Sequence, residues 1–167
     1  AQRGVLIKGG ESLQRASAID VVLVDKTGTV TEGRPAVTTL HPIAGDEAEM
    51  LRVAAAIERL SEHPLARAIV QAAGSRGLPL TEATDFKAVP GQGASGVVGG
   101  RVTLIGNAEW MRTSGVAIGA AETIAERTAG EGATPVYVAV AGAMIGVLGV
   151  SDPIRSSSAP AVAVLRR

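Results

Sequence analysis

The string DKTGT occupies residues 25–29 and follows directly after an apolar run at residues 21–24. That run predicts a buried strand over about residues 20–24. Ligands of open α/β sheets bind beyond the carboxyl ends of the strands, so Asp25 is placed where a carboxylate can react. Such a carboxylate can attack a phosphoryl group and form an aspartyl-phosphate. The alternative interpretation is an ordinary polar turn.

The residues that follow Asp25 suit a phosphoryl group. Lys26 adds a positive charge, and Thr27 and Thr29 supply hydroxyl donors. Gly28 lets backbone amides approach phosphate oxygens. We therefore predict a catalytic loop made of Asp25, Lys26, Thr27, Gly28 and Thr29.

A second polar group surrounds a predicted break between two helices. Glu58 lies five residues before His63, and Pro64 moves the histidine away from helical angles. The break can bring both side chains to one side of the domain. A carboxylate there can accept from an adenine amino group, and a neutral imidazole can stack on the base or hydrogen-bond to it. The alternative is that His63 only begins a helix.

Glycines form a third group, at Gly91, Gly93 and Gly106, with Asn107 beside the last of them. These glycines can let the backbone come close to a nucleotide, although Gly-x-Gly is also common in turns. A strand end followed by a helix N-cap equally explains Gly106 and Asn107. Residues 91–96 match a dinucleotide fingerprint by letters, but a hairpin follows instead of a helix, which argues against an NAD site.

Periodicity predicts a mainly antiparallel sheet with helices packed on it. The predicted strands cover residues 36–40, 86–89, 95–98 and 101–105, and two more fill residues 136–150 around a turn at 141–142. Predicted helices run from an Asp46 N-cap to about Leu60, from Pro64 to Gly74, from Asn107 through Arg112, and over residues 117–128. A helix-like segment follows Arg155.

Composition excludes several classes of function. The net charge is zero, which argues against a nucleic-acid partner. The chain has no cysteine and two histidines, so thiolate chemistry is excluded and a multi-histidine metal site is not expected. The apolar stretch at 136–150 is shorter than the roughly 20 residues that a membrane-spanning helix needs.

The string VDKTGTVT, at residues 24–31, resembles the phosphorylation signature of the P-type ATPases. The resemblance implies that Asp25 accepts the γ-phosphate of ATP, in a phosphorylation domain with a haloacid-dehalogenase-like, Rossmann-like fold. The string SEHPLA, at 61–66, is similar to the nucleotide-binding domain of the heavy-metal-transporting members. In that subfamily ATP is bound at the positions that correspond to Glu58, His63, Gly91, Gly93, Gly106 and Asn107.

This resemblance implies an α/β (α+β) chain with three parts. Residues 1–33 are expected to begin the phosphorylation domain, 34–150 to form an inserted nucleotide-binding domain, and 151–167 to start the return. The Thr-Gly-Asp loop and the Mg²⁺-binding motif of the family are not in the sequence. We therefore expect a soluble fragment, without direct membrane contact, of a pump on the cytoplasmic side of a membrane. It is expected to bind ATP with little turnover and an incomplete Mg²⁺ site.

The implied partners are the rest of the same pump, namely its transmembrane helices, actuator domain and remaining phosphorylation domain. The lead-in at residues 4–11 and the wording Asp152-Pro153-Ile154 look more like copper pumps than zinc, cadmium or lead pumps. No residue here is expected to bind the transported metal. The open alternatives are a zinc, cadmium or lead pump, a haloacid-dehalogenase-type phosphatase, and a non-catalytic nucleotide-binding module.

Overall fold

A six-stranded antiparallel sheet forms the centre of the computed structural model, which describes residues 10–16 and 18–166. The strands are β1 (Ala36–Pro42), β2 (Ala83–Val89), β3 (Gly93–Val98), β4 (Arg101–Gly106), β5 (Thr134–Val140) and β6 (Ala143–Ser151). Their order across the sheet is β1-β6-β5-β4-β3-β2, and every neighbouring pair is antiparallel. The predicted mixed α/β fold with an antiparallel sheet is confirmed.

Helices begin and end where local signals place them. They are α1 (Gly10–Ala16), α2 (Glu47–Glu58), α3 (Pro64–Ser75), α4 (Ala108–Thr113), α5 (Gly119–Gly130) and α6 (Ser158–Leu165). Asp46 caps α2, because its Oδ1 accepts from the backbone N of Glu49 at 2.8 Å. After α3, Gly77 has a φ of +65°, and the amide of Leu78 returns to the carbonyl of Ala73 at 3.1 Å. This glycine-terminated ending stops α3 just beyond the predicted point.

Both faces of the sheet are covered by helices. Alternate residues of β5 divide between two cores, with Val136 and Val138 on the side of α2 and α3. Tyr137 and Ala139 join the core formed with α4 and α5. On the first side, α2 contributes Ile57, which is fully buried and is worth about 1.5–3 kcal/mol of transfer free energy. The two cores therefore fix the sheet from both sides.

Two tight hairpins sit where paired small residues predict turns. Gly99 and Gly100 have φ values of +56° and +75°, and Ala141 and Gly142 have +51° and +79°. Positive φ at both central residues is the conformation that matches the twist of antiparallel strands. The apolar residues 136–150 are thus confirmed as two sheet strands. None of the helices formed by the described residues is long and apolar enough to cross a membrane.

The strand predicted at residues 20–24 does not form, and that prediction was wrong. These residues have no regular structure, and the side chain of Leu23 is 94% exposed. An apolar run becomes a buried strand only where neighbouring strands bond to it and cover it, and no described strand lies beside it. Instead Ile19, Val22 and Val24 line a groove with Val162 of α6. Apart from Gly10 and Glu11, the lead-in at 4–11 lies outside the described residues.

Candidate functional site

One cavity is lined by residues from three segments that follow β1, at 58–63, 91–93 and 106–107. Its volume is about 380 Å³, inside the range of about 300–1,000 Å³ that small-molecule sites occupy. Its lining includes all six residues predicted to bind a nucleotide, namely Glu58, His63, Gly91, Gly93, Gly106 and Asn107. We name this space the Glu58 cavity.

Glu58 and His63 stand at the two helix ends that meet beside the cavity. Glu58 is the last residue of α2, and His63 is the N-cap of α3. The Nδ1 atom of His63 accepts from the backbone N of Leu65 at 3.2 Å. Since Nδ1 is the acceptor, the neutral imidazole carries its proton on Nε2. His63 therefore begins a helix and still offers one N–H donor.

The surroundings of the Glu58 carboxyl group raise its pKa. Burial raises its pKa above the usual 4.5, while a hydrogen bond with Ser61 and the charge of His63 oppose that rise. Its position at the C-terminal end of α2 also places a carboxylate near the negative end of the helix dipole. The protein thus holds an acid where burial disfavours its charged form, which is common at functional sites.

Pro90 and Gly91 form the turn between β2 and β3. The amide of Gln92 donates to the carbonyl of Val89 at 3.0 Å, and Gly91 has a φ of +74°. Proline at the second position and glycine at the third are the residues that a type II turn requires. Gly91 is therefore required by the turn conformation itself.

Gly93 and Gly106 are paired across β3 and β4, and the ring of Trp110 lies over them. A Cβ added at Gly93 would lie 2.7 Å from Cδ1 of Trp110, and one added at Gly106 would lie 2.8 Å from the same atom. Both glycines are needed so that the tryptophan can pack there. Their sequence signal suggested close approach to a ligand, and the structure adds a packing reason inside the protein.

The chemistry of the cavity wall is mainly apolar. Leu65, Ile69, Pro135 and Val136 contribute apolar surface, and Glu58 is the only acidic residue among the described residues of the lining. Within residues 10–16 and 18–166, no lysine or arginine lines it. A space of this kind suits a flat, uncharged ring with a hydrogen-bonding edge better than it suits a multiply charged anion.

The predicted catalytic loop lies elsewhere in the structure. Asp25, Lys26, Thr27, Gly28 and Thr29 are all exposed, and none of them lines the Glu58 cavity. Lys26–Val30 makes one wide, π-type turn, closed by a bond from the amide of Thr31 to the carbonyl of Lys26 at 3.0 Å. Gly28 has a φ of +77° inside this turn, and Asp25 precedes it in extended conformation without a capping bond from its side chain.

Two residues that sequence reasoning missed fasten this loop to the returning chain. Asp152 accepts from the backbone N of Gly33 and of Arg34, each at 3.0 Å, and from the buried hydroxyl of Thr31. These bonds, led by that of Thr31, hold the pKa of Asp152 below its usual value, although burial acts in the opposite direction. An acid followed by Pro153 carries no sequence signal for this role.

Arg155 is the second missed residue. Its Nε donates to the carbonyl of Thr31 at 2.8 Å, and its Nη2 donates to that of Gly28 at 3.1 Å. Its backbone N donates to the carbonyl of Val30 at 2.9 Å. Arg155 therefore determines where the loop after Asp25 lies.

Candidate metal-ligating side chains do not cluster in the described part of the chain. Within residues 10–16 and 18–166, no group of three or more histidine, aspartate or glutamate side chains could hold a cation.

Comparison with known proteins finds relatives that are metal-transporting ATPases. The silver-exporting P-type ATPase of Salmonella typhimurium is 41% identical over 170 residues, covering 100% of this chain and 20% of that protein. Copper-transporting ATPase 2 of Rhizobium meliloti is 42% identical over 163 residues, covering 97% of this chain and 20% of that protein. The chain therefore spans about a fifth of the length of the curated relatives that it matches.

Solved structures agree with the sequence relatives. A zinc-transporting PIB-type ATPase in an E2.Pi state superposes with a TM-score of 0.88 at 35% identity, covering 99% of this chain and 27% of that chain. A family model described as haloacid dehalogenase-like hydrolase matches residues 19–167, which is most of the sequence. The chain belongs to the haloacid dehalogenase-like hydrolase family.

Proposed function

We propose that this chain is the ATP-binding part of a heavy-metal-transporting P-type ATPase, and that the Glu58 cavity binds the adenine ring. The observation that carries the proposal is that one cavity collects all six predicted residues, in a lining whose described residues include one carboxylate and no cationic side chain. A lining without a cation leaves the triphosphate outside, because burying phosphate charge without a partner is costly. The base therefore enters the cavity and the phosphates remain at its mouth.

The two polar side chains match the hydrogen-bonding edge of adenine. The carboxylate of Glu58 accepts from the amino group at C6, and Nε2–H of His63 donates to a ring nitrogen. Guanine presents an oxygen at C6 and a proton on the adjacent nitrogen, so it offers the opposite pattern. We therefore expect the cavity to select ATP over GTP.

In the whole protein, Asp25 is proposed to attack the γ-phosphorus of ATP, releasing ADP and leaving an aspartyl-phosphate. Residues 34–150 act as the nucleotide-binding domain, while 1–33 and 151–167 belong to the phosphorylation domain. The remaining partners are the transmembrane helices, the actuator domain and the rest of the phosphorylation domain. The Mg²⁺ that would neutralise the phosphate charge is proposed to be held by the family motif that is not in this sequence, so no step through it is assigned to these residues.

The transported metal is proposed to be copper. The copper- and silver-transporting relatives match at 42% and 41% identity over 97% and 100% of this chain, which supports copper, whereas the zinc-transporting structure, at 35% identity, supports the alternative. Copper(I) and silver(I) are both soft monovalent ions that thiolate and thioether ligands select. Zinc transport is the alternative, and the metal is the cargo of the pump and not a ligand of this chain.

Calorimetric titration of the chain with ATP and with GTP tests the binding proposal. The informative variant is His63→Asn, because asparagine is a preferred N-cap and keeps α3 intact while removing the imidazole. We expect ATP affinity to fall about tenfold or more, which is about 1.4 kcal/mol. Asp46→Asn makes the same kind of cap exchange at α2, away from the cavity, and should leave affinity unchanged. Equal affinity of the wild type for ATP and GTP, or no binding at all, would contradict the proposal.

The isolated chain is expected to bind ATP with little turnover, because phosphoryl transfer depends on positioning and charge neutralisation, and the family's Thr-Gly-Asp loop and Mg²⁺-binding motif are not in the sequence. Radiolabelled ATP tests this directly. Acid-stable, hydroxylamine-labile label on the wild type that is absent from Asp25→Asn would show that the isolated chain phosphorylates itself after all.

A further inference from the structure

We propose that Asn107 is a positioning residue, which acts on the nucleotide by fastening the turn at residues 90–92 to the start of α4. The inference rests on the proposed function for the identity of the ligand. It assigns Asn107 a different role from Glu58 and His63, whose polar atoms are offered to the ligand itself.

Asn107 makes three hydrogen bonds to other residues of the protein near the cavity wall. Its Oδ1 accepts from the backbone N of Trp110 at 2.8 Å, which caps α4. Its Nδ2 donates to the carbonyl of Gly91 at 2.9 Å, and its backbone N donates to the carbonyl of Gln92 at 2.9 Å. One residue therefore joins a helix end to two successive carbonyls of the turn.

Trp110 reinforces the same junction from the other side. Its ring lies over Gly93 and Gly106, and its Nε1 donates to the carbonyl of Ala94 at 3.4 Å. The amide that Asn107 caps belongs to this same tryptophan. The turn, the start of β3 and the start of α4 are thus held as one unit that forms a wall of the Glu58 cavity.

The consequence is that the shape of this wall depends on the Asn107 side chain before any ligand arrives. Within the turn, the bond from Gln92 to Val89 closes the hairpin, and the β2–β3 pairing begins beyond it at Val89 and Gly93. Loss of the bond from Nδ2 to Gly91 leaves that carbonyl without its partner and allows the turn to open. Affinity for every ligand that uses the wall then falls by the same factor, whatever its phosphate content.

Asn107→Ser tests this by removing one bond. Serine is a preferred, uncharged N-cap, so it can keep the bond to Trp110, but its hydroxyl is too short to reach Gly91. In ligand-free protein, we expect amide hydrogen exchange at Gln92 and at residue 107 to speed up about three- to tenfold, the loss typical of one net hydrogen bond. Asp46→Ser, the matched cap exchange at α2, should leave both rates unchanged.

Ligand titrations separate positioning from direct contact. Adenosine and ATP should both bind about three- to tenfold more weakly to Asn107→Ser. Unchanged exchange in the ligand-free variant would overturn the proposal, whatever the affinities. Weakened ATP binding with normal adenosine binding would also overturn it, since it would place Asn107 at the phosphates.

Two outcomes need a second measurement. If Asn107→Ser fails to fold, Asn107→Asp also keeps the cap and lacks the donor, and its exchange is measured without nucleotide, so its charge does not confuse the result. If the wild type binds neither adenosine nor ATP, the proposed function fails. The exchange comparison still decides whether Asn107 holds the turn.

Discussion

Gly93 and Gly106 lie directly opposite each other on β3 and β4, and Trp110 covers the side on which each would carry a side chain. The glycines of this wall are therefore placed by packing as well as by any ligand. A methyl group at either position meets backbone and the partly buried ring of Trp110, so it cannot be accommodated without disturbing the sheet.

Gly93→Ala should therefore destabilise the protein by about 1–3 kcal/mol through overpacking. Gly91→Ala is the comparison, because its Cβ would meet open space and its cost of about 1 kcal/mol comes only from the positive φ. Urea unfolding followed by Trp110, the single tryptophan, measures both. Equal midpoints for the wild type and Gly93→Ala would show that Trp110 does not pack as described.

Glu58→Gln should raise stability near neutral pH and weaken ATP binding. Because the folded pKa of Glu58 is raised, its proton is held more tightly in the folded state. The associated stability is fully present below pH 4.5, the usual pKa, and is lost as the pH rises through the folded pKa. Unfolding free energies of the two proteins should thus converge in acid and diverge toward pH 7. If the unfolding free energies of the two proteins instead change with pH in parallel, burial does not disfavour the charged form of Glu58.

Asp152→Asn should weaken the hydrogen bonds that attach Gly33 and Arg34 to the returning chain, next to the loop that follows Asp25. The folded pKa of Asp152 is lowered, so its stabilisation is present above pH 3.8, the usual value, and is lost as the pH falls through the lowered pKa. Amide exchange at Gly33 and Arg34, corrected for intrinsic rates, should be faster in the variant at neutral pH and alike in strong acid. Asp85→Asn, an exposed aspartate on β2, serves as the control and should change neither amide.

Leu23→Gln should reduce self-association of the isolated chain without changing ATP affinity. The apolar residues at 19–24 are largely exposed and share a groove with α6, and exposed apolar patches promote association. Sedimentation velocity over a range of concentrations measures the effect. Thr113→Gln, an exposed change at the end of α4, provides the control. Identical concentration dependence in wild type and Leu23→Gln would show that this surface does not mediate association.

Local signals predicted most of the sheet and its helices. The Asp46 cap, the Pro64 start and the Gly99-Gly100 turn each act within a few residues, so the sequence around them is sufficient. The grouping of Glu58 with His63 was predictable for the same reason, since a helix break lies between them. β2 begins at Ala83, three residues before its predicted start, because pairing with β3 extends it beyond its apolar core.

Features that depend on distant residues were not predictable. The run at 21–24 has the composition of a buried strand, but burial requires neighbours that the described residues do not supply. Asp152 and Arg155 bond mainly to backbone groups more than a hundred positions away, and backbone groups leave no trace in side-chain patterns. The role of Trp110 over two glycines likewise appears only when β3 and β4 are paired.

The chain enters and leaves the six-stranded sheet at a single crossing, where Thr31 pairs with Ile154 and Glu32 donates to Pro153. This crossing adjoins β1 and β6 at one edge of the sheet, whereas the Gly91 turn lies at the opposite edge, on β2 and β3. Five strand spacings of about 4.8 Å separate those edges, so the Gly91 turn lies about 24 Å across the sheet from the crossing. A rotation of about 10° at the crossing moves the far edge by about 4 Å. If the sheet rotates about this crossing, the axis of rotation therefore lies close to the loop that follows Asp25. The largest displacement within the sheet then occurs at the turn that forms a wall of the Glu58 cavity.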